Sequence, residues 1–440
     1  MLNPYRVAII GAGTSGLAAA VKLCTYDSPR PFDITLYESR REAGGRTRSF
    51  IDSESGDTLD NGQHLLMGCY TSTLEYLHTI NSEHLLDWQN SLEILFAIPL
   101  EHRTATLGMS SGVPVPVNLL LGIISTDLLH AHEKIAAIRM GIGIMLFQFE
   151  KRSAGKSCAD LFRQANQPLT LIEKLWEPIV VATMNMPIGI ASAEVFLHTM
   201  RTVFFQKRSY SSLLFPKVGL SDLLITPALR YLEENGCTIM YGQRLQSIIE
   251  GNGNVFVEAN DRREVYHSVI FAGSYQDVNF LPETILNELP LVEYSPIVNA
   301  YLWLDKKVIQ KPILGFIGTN VQWCFSKPTN TPGELISCTV SAATNLIEKS
   351  NEDITEILWN EIVSAFPHST AKVLRSVIIK ERRATPLLDA QFQSTRPHTI
   401  SSIPNIYLAG DAVQNGLPMT IEGAVRNGQK AAEAIWKHLR

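Results

Sequence analysis

The amino-acid sequence predicts an α/β fold in which one parallel sheet is assembled from separate parts of the chain, with an α+β domain inserted between them. Three stretches carry this prediction. Residues 7–10 form a β-branched, apolar run that leads into a glycine-rich turn and then an alanine-rich segment. Residues 34–37 and residues 406–408 are two further short apolar runs, and an acidic residue follows each of them closely. Parallel strands need long connections, so runs this far apart can share one sheet.

The glycine-rich turn has the spacing G-x-G-x-x-G and lies between a predicted strand and a predicted helix. Gly11 permits the sharp turn, Gly13 lets the backbone approach a pyrophosphate, and Gly16 lets the helix pack closely on the strand. The helix would begin at Thr14 and Ser15, where its N-terminus offers free N–H groups to phosphates. The turn therefore predicts a Rossmann-like domain that binds a dinucleotide.

An acidic residue at the end of the second strand predicts the ribose contact. Glu38 can accept hydrogen bonds from the adenosine hydroxyls, although it lies beyond the usual distance of ~20 residues from the glycines. We assign the neighbouring Ser39 to the same site. Two strand-like runs follow Gly236, and we expect the backbone of Leu245, at the start of the second run, to bond the adenine.

A second glycine pair, Gly44-Gly45, precedes Arg46 and favours FAD over NAD. Glycines allow backbone N–H groups to face the diphosphate, and a guanidinium offsets its charge. We therefore expect Gly45 and Arg46 to contact the cofactor. A basic patch for nucleic acid is the alternative for this arginine-rich segment, and the net charge of −5 argues against it.

The third apolar run predicts the flavin half of the site. In FAD proteins of this type an acidic residue such as Asp411, which follows Gly410, meets the ribityl or diphosphate portion of the cofactor. A helix that begins near Thr420, between Met419 and Ile421, would direct its N–H groups at the N1/O2 edge of the flavin ring. There they would stabilise negative charge on the reduced ring. The predicted fold class is thus an FAD-binding Rossmann-like domain of glutathione reductase type with an inserted α+β substrate domain.

Composition bounds the other possibilities. The 440 residues are 45% hydrophobic, which is enough for two or more cores. No second G-x-G-x-x-G follows a predicted strand, so we expect an external electron donor. The six cysteines are scattered without a C-x-x-C pair, which predicts neither a metal site nor a dithiol redox centre. Scattered cysteines, and a first strand that leaves no room for a presequence, favour a cytoplasmic location.

Residues 113–149 are unusually apolar but are interrupted by Lys134 and Arg139. No uninterrupted stretch reaches the ~18–20 apolar residues of a transmembrane helix. Two interpretations stay open for this segment. It is either a helical substrate domain with a buried core, or a surface that dips into one membrane leaflet to take up a lipid.

The positions of the motifs predict two discontinuous domains. The FAD-binding domain is expected at residues 1–75, 210–280 and 400–440. The substrate-binding domain is expected at residues 80–210, which look mainly helical, and at residues 285–400, which look like strands over a cavity. The flavin would lie where the two domains meet.

Residues 60–70, with the sequence Asp-Asn-Gly-Gln-His-Leu-Leu-Met-Gly-Cys-Tyr, narrow the interpretation. Together with the segment 409–425 and the motifs at 383–385 and 396–397, they resemble the squalene-associated FAD-dependent desaturases, the hydroxysqualene dehydroxylases. These enzymes lie within the flavin amine oxidase and phytoene desaturase superfamily. The resemblance spans the whole chain. Two departures are Met419, where a small residue is commoner, and Asn427, where serine is commoner.

The resemblance implies a substrate and residue roles. Hydroxysqualene, a C30 isoprenoid, would lose its hydroxyl and gain hydride from reduced flavin to give squalene. Gly62 and Gln63 would pass the flavin by their backbone, and His64 would also lie against it. His64 would either protonate the leaving hydroxyl as the catalytic residue or hold the flavin loop. Partners implied are the isoprenoid lipid, a membrane surface and squalene-synthase-like enzymes of the same pathway.

Three other functions stay open. A carotenoid-type desaturase would share the fold and lipid pocket, but hydride would move from the substrate to the flavin. A flavin amine oxidase would need an aromatic cage beside the flavin, for which Trp323 and Tyr407 are candidates. A flavin-bearing chaperone or a prenyl-lipid-binding module would need no turnover.

Overall fold

The structure is a computed structural model that describes residues 3–28, 30–110, 112–276 and 278–439. The strands in these ranges are β1 (Tyr5–Ile10), β2 (Phe32–Tyr37), β3 (Ser49–Ile51), β4 (Thr58–Asp60), β5 (Leu66–Met67), β6 (Leu86–Trp88), β7 (Glu93–Ile98), β8 (Arg103–Gly108), β9 (Leu213–Pro216), β10 (Thr238–Met240), β11 (Leu245–Gly251), β12 (Asn254–Ala259), β13 (Arg262–Tyr266), β14 (Ser268–Phe271), β15 (Tyr294–Leu304), β16 (Ile313–Phe316), β17 (Trp323–Lys327), β18 (Glu334–Ser341), β19 (Val373–Pro386) and β20 (Ile406–Leu408). The α-helices are α1 (Thr14–Cys24), α2 (Thr71–Thr79), α3 (Val117–Ser125), α4 (Ala131–Met145), α5 (Glu150–Ser153), α6 (Cys158–Gln164), α7 (Leu169–Leu171), α8 (Glu177–Met184), α9 (Ala193–Phe204), α10 (Thr226–Glu234), α11 (Glu283–Leu286), α12 (Asn351–Ala365), α13 (Ala390–Thr395) and α14 (Ile421–His438).

A five-stranded parallel sheet with the order β10-β2-β1-β14-β20 forms the nucleotide domain. Side chains alternate between its faces, as the period of two in a strand requires. Val7 and Ile9 of β1 pack with α1, α10 and α14, whereas Ala8 and Ile10 face the three-stranded sheet β11-β12-β13. Because both faces are covered, the central residues of the strands are mostly apolar, and the charged Arg6 and Asp33 lie near the starts of β1 and β2. The α/β fold predicted from the three apolar runs is confirmed.

A second sheet of seven strands, with the order β19-β15-β18-β17-β16-β7-β8, forms the base of the other half of the molecule. Its pairs are antiparallel except for β16 with β7. Phe96 and Ile98 face the helices between α3 and α9. Ala97 faces the opposite way, into a core that includes α12. The helical segment and α12 therefore lie on opposite faces of one sheet.

The expectation that residues 80–210 are mainly helical is right from α3 to α9 and wrong for residues 86–108. Those residues form β6, β7 and β8. The β-branched and aromatic residues of β7 favour a strand, and β7 pairs with β8 in a local hairpin as well as with β16, a partner far along the chain. The predicted domain boundaries stay a prediction. Among the described residues, no helix is both long enough and apolar enough to cross a membrane.

Candidate functional site

The three glycines of the turn after β1 are required for two different reasons. Two of them are required by the fold itself, and the third leaves space for a ligand. Gly11 has a φ of +102°, which side-chain-bearing residues rarely adopt. A Cβ on Gly16 would lie 1.9 Å from the Gly11 carbonyl oxygen, so the predicted close packing is confirmed. Gly13 differs, because its φ of −76° and ψ of 177° suit any residue and a Cβ there would meet no atom within 4 Å. The open space beside Gly13 is what the approach of a diphosphate requires.

The start of α1 also fits an anionic group. Thr14 bonds the Thr47 hydroxyl at 3.0 Å, whereas the buried Ser15 Oγ has no hydrogen-bond partner among the described residues. The first turn of α1 carries no acidic residue and no side-chain cap. Buried hydroxyls are nearly always bonded in native proteins, so an orphaned one at a helix N-terminus marks a place for a ligand oxygen.

The second glycine pair is bound directly to the turn. The N–H of Gly44 donates to the Ala12 carbonyl at 2.8 Å, and Gly45 lies against the Cα of Gly13. Arg46 then reaches across to Asp411, with Nη2 at 2.7 and 2.8 Å from the two carboxylate oxygens. Arg46 and Asp411, both predicted to contact the cofactor, thus form one ion pair beside the glycine turn, although they are far apart in the sequence.

The acidic residue at the end of β2 is fixed to the turn as well. Glu38 Oε2 accepts the N–H of Ala12 at 2.9 Å, and Oε1 accepts the hydroxyl of Ser39 at 3.3 Å. The N–H of Gln243 donates to the Glu38 carbonyl at 2.9 Å. The segment that leads to Leu245 therefore runs beside Glu38, as an adenosine site needs.

The turn after β20 is held by a residue that departs from the resembled family. Asn427 of α14 donates from Nδ2 to the Gly410 carbonyl at 2.7 Å and to the Val413 carbonyl at 2.8 Å. Gly410 has a φ of +114°, and a Cβ on it would meet no atom within 4 Å. The turn therefore has free space beside Gly410, and the two hydrogen bonds from Asn427 hold its backbone in place.

Arg396 organises the loop between β20 and α14. The side chain is 4% exposed. Its guanidinium donates to the carbonyls of Asp411 and Val413 at 2.8 Å, Leu417 at 2.9 Å and Ala412 at 3.2 Å. Burial lowers its pKa to about 10, which leaves it charged at neutral pH. In the sequence Arg396 is recognisable only as part of a motif, because its partners are backbone atoms that the sequence does not reveal.

Helix α14 begins where the sequence predicts. Thr420 Oγ1 accepts the N–H of Gly423 at 3.2 Å. Glu422, in the first turn, faces away from the site, because its carboxylate accepts the N–H of Thr73 at 2.9 Å and the guanidinium of Arg426 at 2.7 Å. This negative charge stabilises the start of α2 and is offset by Arg426 of the same helix. No local pattern in the sequence indicates this role of Glu422.

The junction between the two halves lies at the start of α14. Met419 is buried in the core of the helical region, whereas Ile421 belongs to the core of the nucleotide domain. Tyr70 packs against the latter core, and burial raises the pKa of its phenol. Tyr70 therefore keeps its proton at neutral pH.

The loop at residues 62–64 shows which proton His64 carries. Its Nδ1 lies 2.6 Å from the Gly62 carbonyl oxygen, which can only accept, so Nδ1 holds the hydrogen. Burial lowers the pKa of His64, so the ring is neutral at neutral pH and Nε2 is an acceptor. Gln63 Oε1 and Asn299 Nδ2 are inaccessible and have no partner among the described residues. Two buried polar atoms, one on the loop and one on β15, thus lack a partner within the described ranges, as expected beside a site for a bound group.

The aromatic pair that an amine oxidase would need is not formed by the two candidates named from the sequence. Tyr407 lies on β20 within the core of the nucleotide domain. Trp323 lies on β17 and packs beside Phe96, with ring centroids 5.8 Å apart. The two side chains occupy different sheets and different cores.

Comparison with known proteins gives a consistent result. The profile of the flavin-containing amine oxidoreductase family matches residues 14–436. Hydroxysqualene dehydroxylase of Sinorhizobium fredii is 28% identical over 444 positions, which cover 98% of either chain. The 15-cis-phytoene desaturase of Synechococcus elongatus is 24% identical and covers 98% of this chain and 95% of its own. An oxidoreductase structure from Methanosarcina mazei superposes with a TM-score of 0.72 at 15% identity, over 97% of this chain and 100% of that one.

Proposed function

Because the chain belongs to the flavin-containing amine oxidoreductase family and is an FAD-dependent oxidoreductase, we propose that it converts hydroxysqualene to squalene. Similarity to hydroxysqualene dehydroxylases over nearly the whole length carries this proposal. In the reaction the C–O bond breaks, the hydroxyl takes a proton and leaves as water, and a hydride fills the vacated position on carbon. Bound FAD in its reduced state supplies that hydride. An external donor supplies the electrons, and a squalene-synthase-like enzyme would supply the precursor.

The chain's own residues would bind and orient the cofactor and shield the reacting carbon from water. The N–H groups at the start of α1 and the Ser15 hydroxyl would hold the diphosphate, while Glu38 would accept the ribose hydroxyls. Arg46 and Asp411 would hold the portion of the cofactor between its two halves. The N-terminus of α14 would stabilise negative charge on the flavin ring, and the apolar junction near Met419 would exclude water from the reacting carbon.

His64 is expected to act mainly through the loop that it holds, and its role as the catalytic acid stays a prediction. The variant His64→Gln replaces the ring by a side-chain amide, which can still donate a hydrogen bond to the Gly62 carbonyl. We expect kcat to change by less than ~10-fold, whereas loss of a general acid costs ~100-fold or more. We would measure the single-turnover rate and the flavin content of the purified variant. A rate loss above ~100-fold with full flavin content would establish His64 as the acid.

The function is tested anaerobically in one cuvette. The protein is reduced with dithionite and mixed with hydroxysqualene, while the oxidised flavin band is followed and the lipids are extracted. Reoxidation of the flavin with one squalene per flavin supports the dehydroxylase. A flavin that stays reduced overturns it, and the same preparation is then oxidised and mixed with phytoene. Bleaching by phytoene would identify a desaturase, the second candidate, which the similarity to 15-cis-phytoene desaturase favours.

We also propose that the helical region docks on a lipid bilayer, from which a C30 hydrocarbon would be taken. Helix α3 exposes Val117, Leu120, Leu121 and Ile124, which lie on one face at helical spacing. Helix α4, packed beside it, continues this apolar surface. Its outward residues are Ile135, Arg139, Ile142 and Leu146. Basic side chains among apolar ones are typical of helices that lie in a membrane interface.

The docking surface predicts a selective loss of vesicle binding. The variant Leu121→Glu places a charge on the apolar face of α3, so we expect sedimentation with anionic phospholipid vesicles to fall at least ~10-fold. The matched control is Leu374→Glu, since Leu374 is 64% exposed on β19, away from this surface. Equal losses in both variants, or binding unaffected by Leu121→Glu, would contradict the proposal.

A further inference from the structure

Two cysteines that are far apart in the sequence meet at one edge of the nucleotide domain. Cys24 ends α1 and Cys237 directly precedes β10, and their Sγ atoms lie 3.5 Å apart. Both thiols are free and half-buried. The sequence indicates no dithiol redox centre, because these two cysteines come together only in the folded protein. A disulfide needs a sulfur separation of about 2.05 Å, and side-chain rotation can close such a gap.

We propose that Cys24 and Cys237 are a reversible oxidation site, whose disulfide fastens α1 to β10 and thereby holds the adenosine end of the FAD site. Helix α1 and strand β10 both connect to the adenosine end of the site. Helix α1 begins at the glycine turn, and the Met240 carbonyl of β10 accepts the N–H of Glu38 at 2.9 Å. The inference rests on this geometry and on FAD binding, and it is independent of the isoprenoid substrate.

The two thiols have unequal roles. The hydrogen bond between them lowers the pKa of Cys24, with burial opposing, while the same bond and burial raise the pKa of Cys237. The negative charge of Asp33 further disfavours the thiolate of Cys237, so we assign Cys24 as the attacking thiolate. With hydrogen peroxide as oxidant, Cys24 sulfur takes one oxygen and becomes a sulfenic acid, and the other oxygen leaves as water. The Cys237 sulfur then displaces the hydroxyl, so that one disulfide and a second water form while peroxide takes two electrons.

A second thiol pair provides an internal comparison. Cys324 and Cys338 face each other across β17 and β18 with Sγ atoms 3.2 Å apart. Both are 0% exposed, and burial raises the pKa of Cys324 well above its usual value. Proximity alone would favour this pair. Access and thiolate character favour Cys24 and Cys237 instead.

The test uses the FAD-loaded protein treated with hydrogen peroxide. Non-reducing peptide mapping is expected to find the Cys24–Cys237 cross-link before any Cys324–Cys338 cross-link, and dithiothreitol is expected to remove it. The temperature at which flavin fluorescence appears on heating is expected to rise by a few degrees after oxidation. The variant Cys237→Ser should lose both effects and leave Cys24 as a trapped sulfenic acid, whereas Cys338→Ser should retain both.

The proposal has two parts, the oxidation site and its effect on flavin binding, and each can be contradicted separately. If the wild-type protein gives no Cys24–Cys237 cross-link, or if the buried pair reacts first, the pair is not an oxidation site. A cross-link that leaves the flavin-release temperature unchanged shows that the disulfide does not hold the adenosine end. Because the mapping uses the wild-type protein, these results do not depend on how well the serine variants fold, and none of them reports on the proposed dehydroxylation.

Discussion

Replacement of Gly13 by valine is expected to leave the protein folded and to remove its tight binding of FAD. No protein atom lies within 4 Å of the position that a Cβ would take, and the backbone angles suit valine. The added methyl groups would occupy the space that the diphosphate needs. We expect the dissociation constant for FAD to rise at least ~100-fold, or about 2.7 kcal/mol. Flavin titration of the apoprotein, with circular dichroism to verify the fold, measures this.

Two other glycines make the Gly13 result interpretable. Gly189 is exposed and also has no atom within 4 Å of a Cβ position, so Gly189→Val is expected to bind FAD normally. Gly16→Ala would place its Cβ 1.9 Å from a carbonyl oxygen, so we expect loss of the fold itself. Wild-type FAD affinity in Gly13→Val would show that the diphosphate does not approach this turn.

Replacement of Arg396 by methionine is expected to destabilise the protein and to empty it of flavin. Methionine fills much of the volume but leaves three buried carbonyls without their side-chain donor, while the Val413 carbonyl keeps the amide of Asn427. Each buried group left unpaired costs ~1–3 kcal/mol, so we expect the free energy of unfolding to fall by roughly 3 kcal/mol or more. The loop that follows β20 would lose its shape, and Asp411 would no longer meet Arg46. Urea unfolding and the flavin content after purification give the two readouts.

The matched control for Arg396 is another arginine at the surface. Arg382 pairs with Glu348, and both side chains are largely exposed. Exposed ion pairs contribute little to stability because water screens both charges, so Arg382→Met should keep its flavin and nearly all its stability. If Arg396→Met were as stable and as fully loaded as this control, the loop would be held by other contacts.

The parts of the site that the sequence predicts are local ones. The turn at Gly11, the close packing at Gly16 and the start of α14 at Thr420 depend on residues a few positions apart. Glu38 was predictable because the strand that carries it neighbours β1. Each of these needs only local spacing and the known chemistry of the group at its end.

The parts that sequence reasoning missed depend on nonlocal contacts. Arg396 donates to backbone carbonyls, and because every residue has one, the sequence does not show which of them Arg396 will contact. The strand β7 has a local partner in β8, but its place in the seven-stranded sheet depends on the distant β16, which the local pattern does not show. Cys24 and Cys237 are neighbours only after α1 and β10 have packed on the same sheet. The family resemblance identified the motif around Arg396 but not the reason for it.

The packing of α1 on α14 sets an order of events during synthesis. Gly428 of α14 lies so close to α1 that a Cβ would meet the Ser15 carbonyl oxygen at 2.1 Å. The segment that carries the glycine turn leaves the ribosome early, but it must wait for residues 421–438 before its helix is covered. Contacts over such long separations form slowly and leave apolar surface exposed meanwhile. A nascent chain is therefore expected to acquire its flavin only after α14 has emerged.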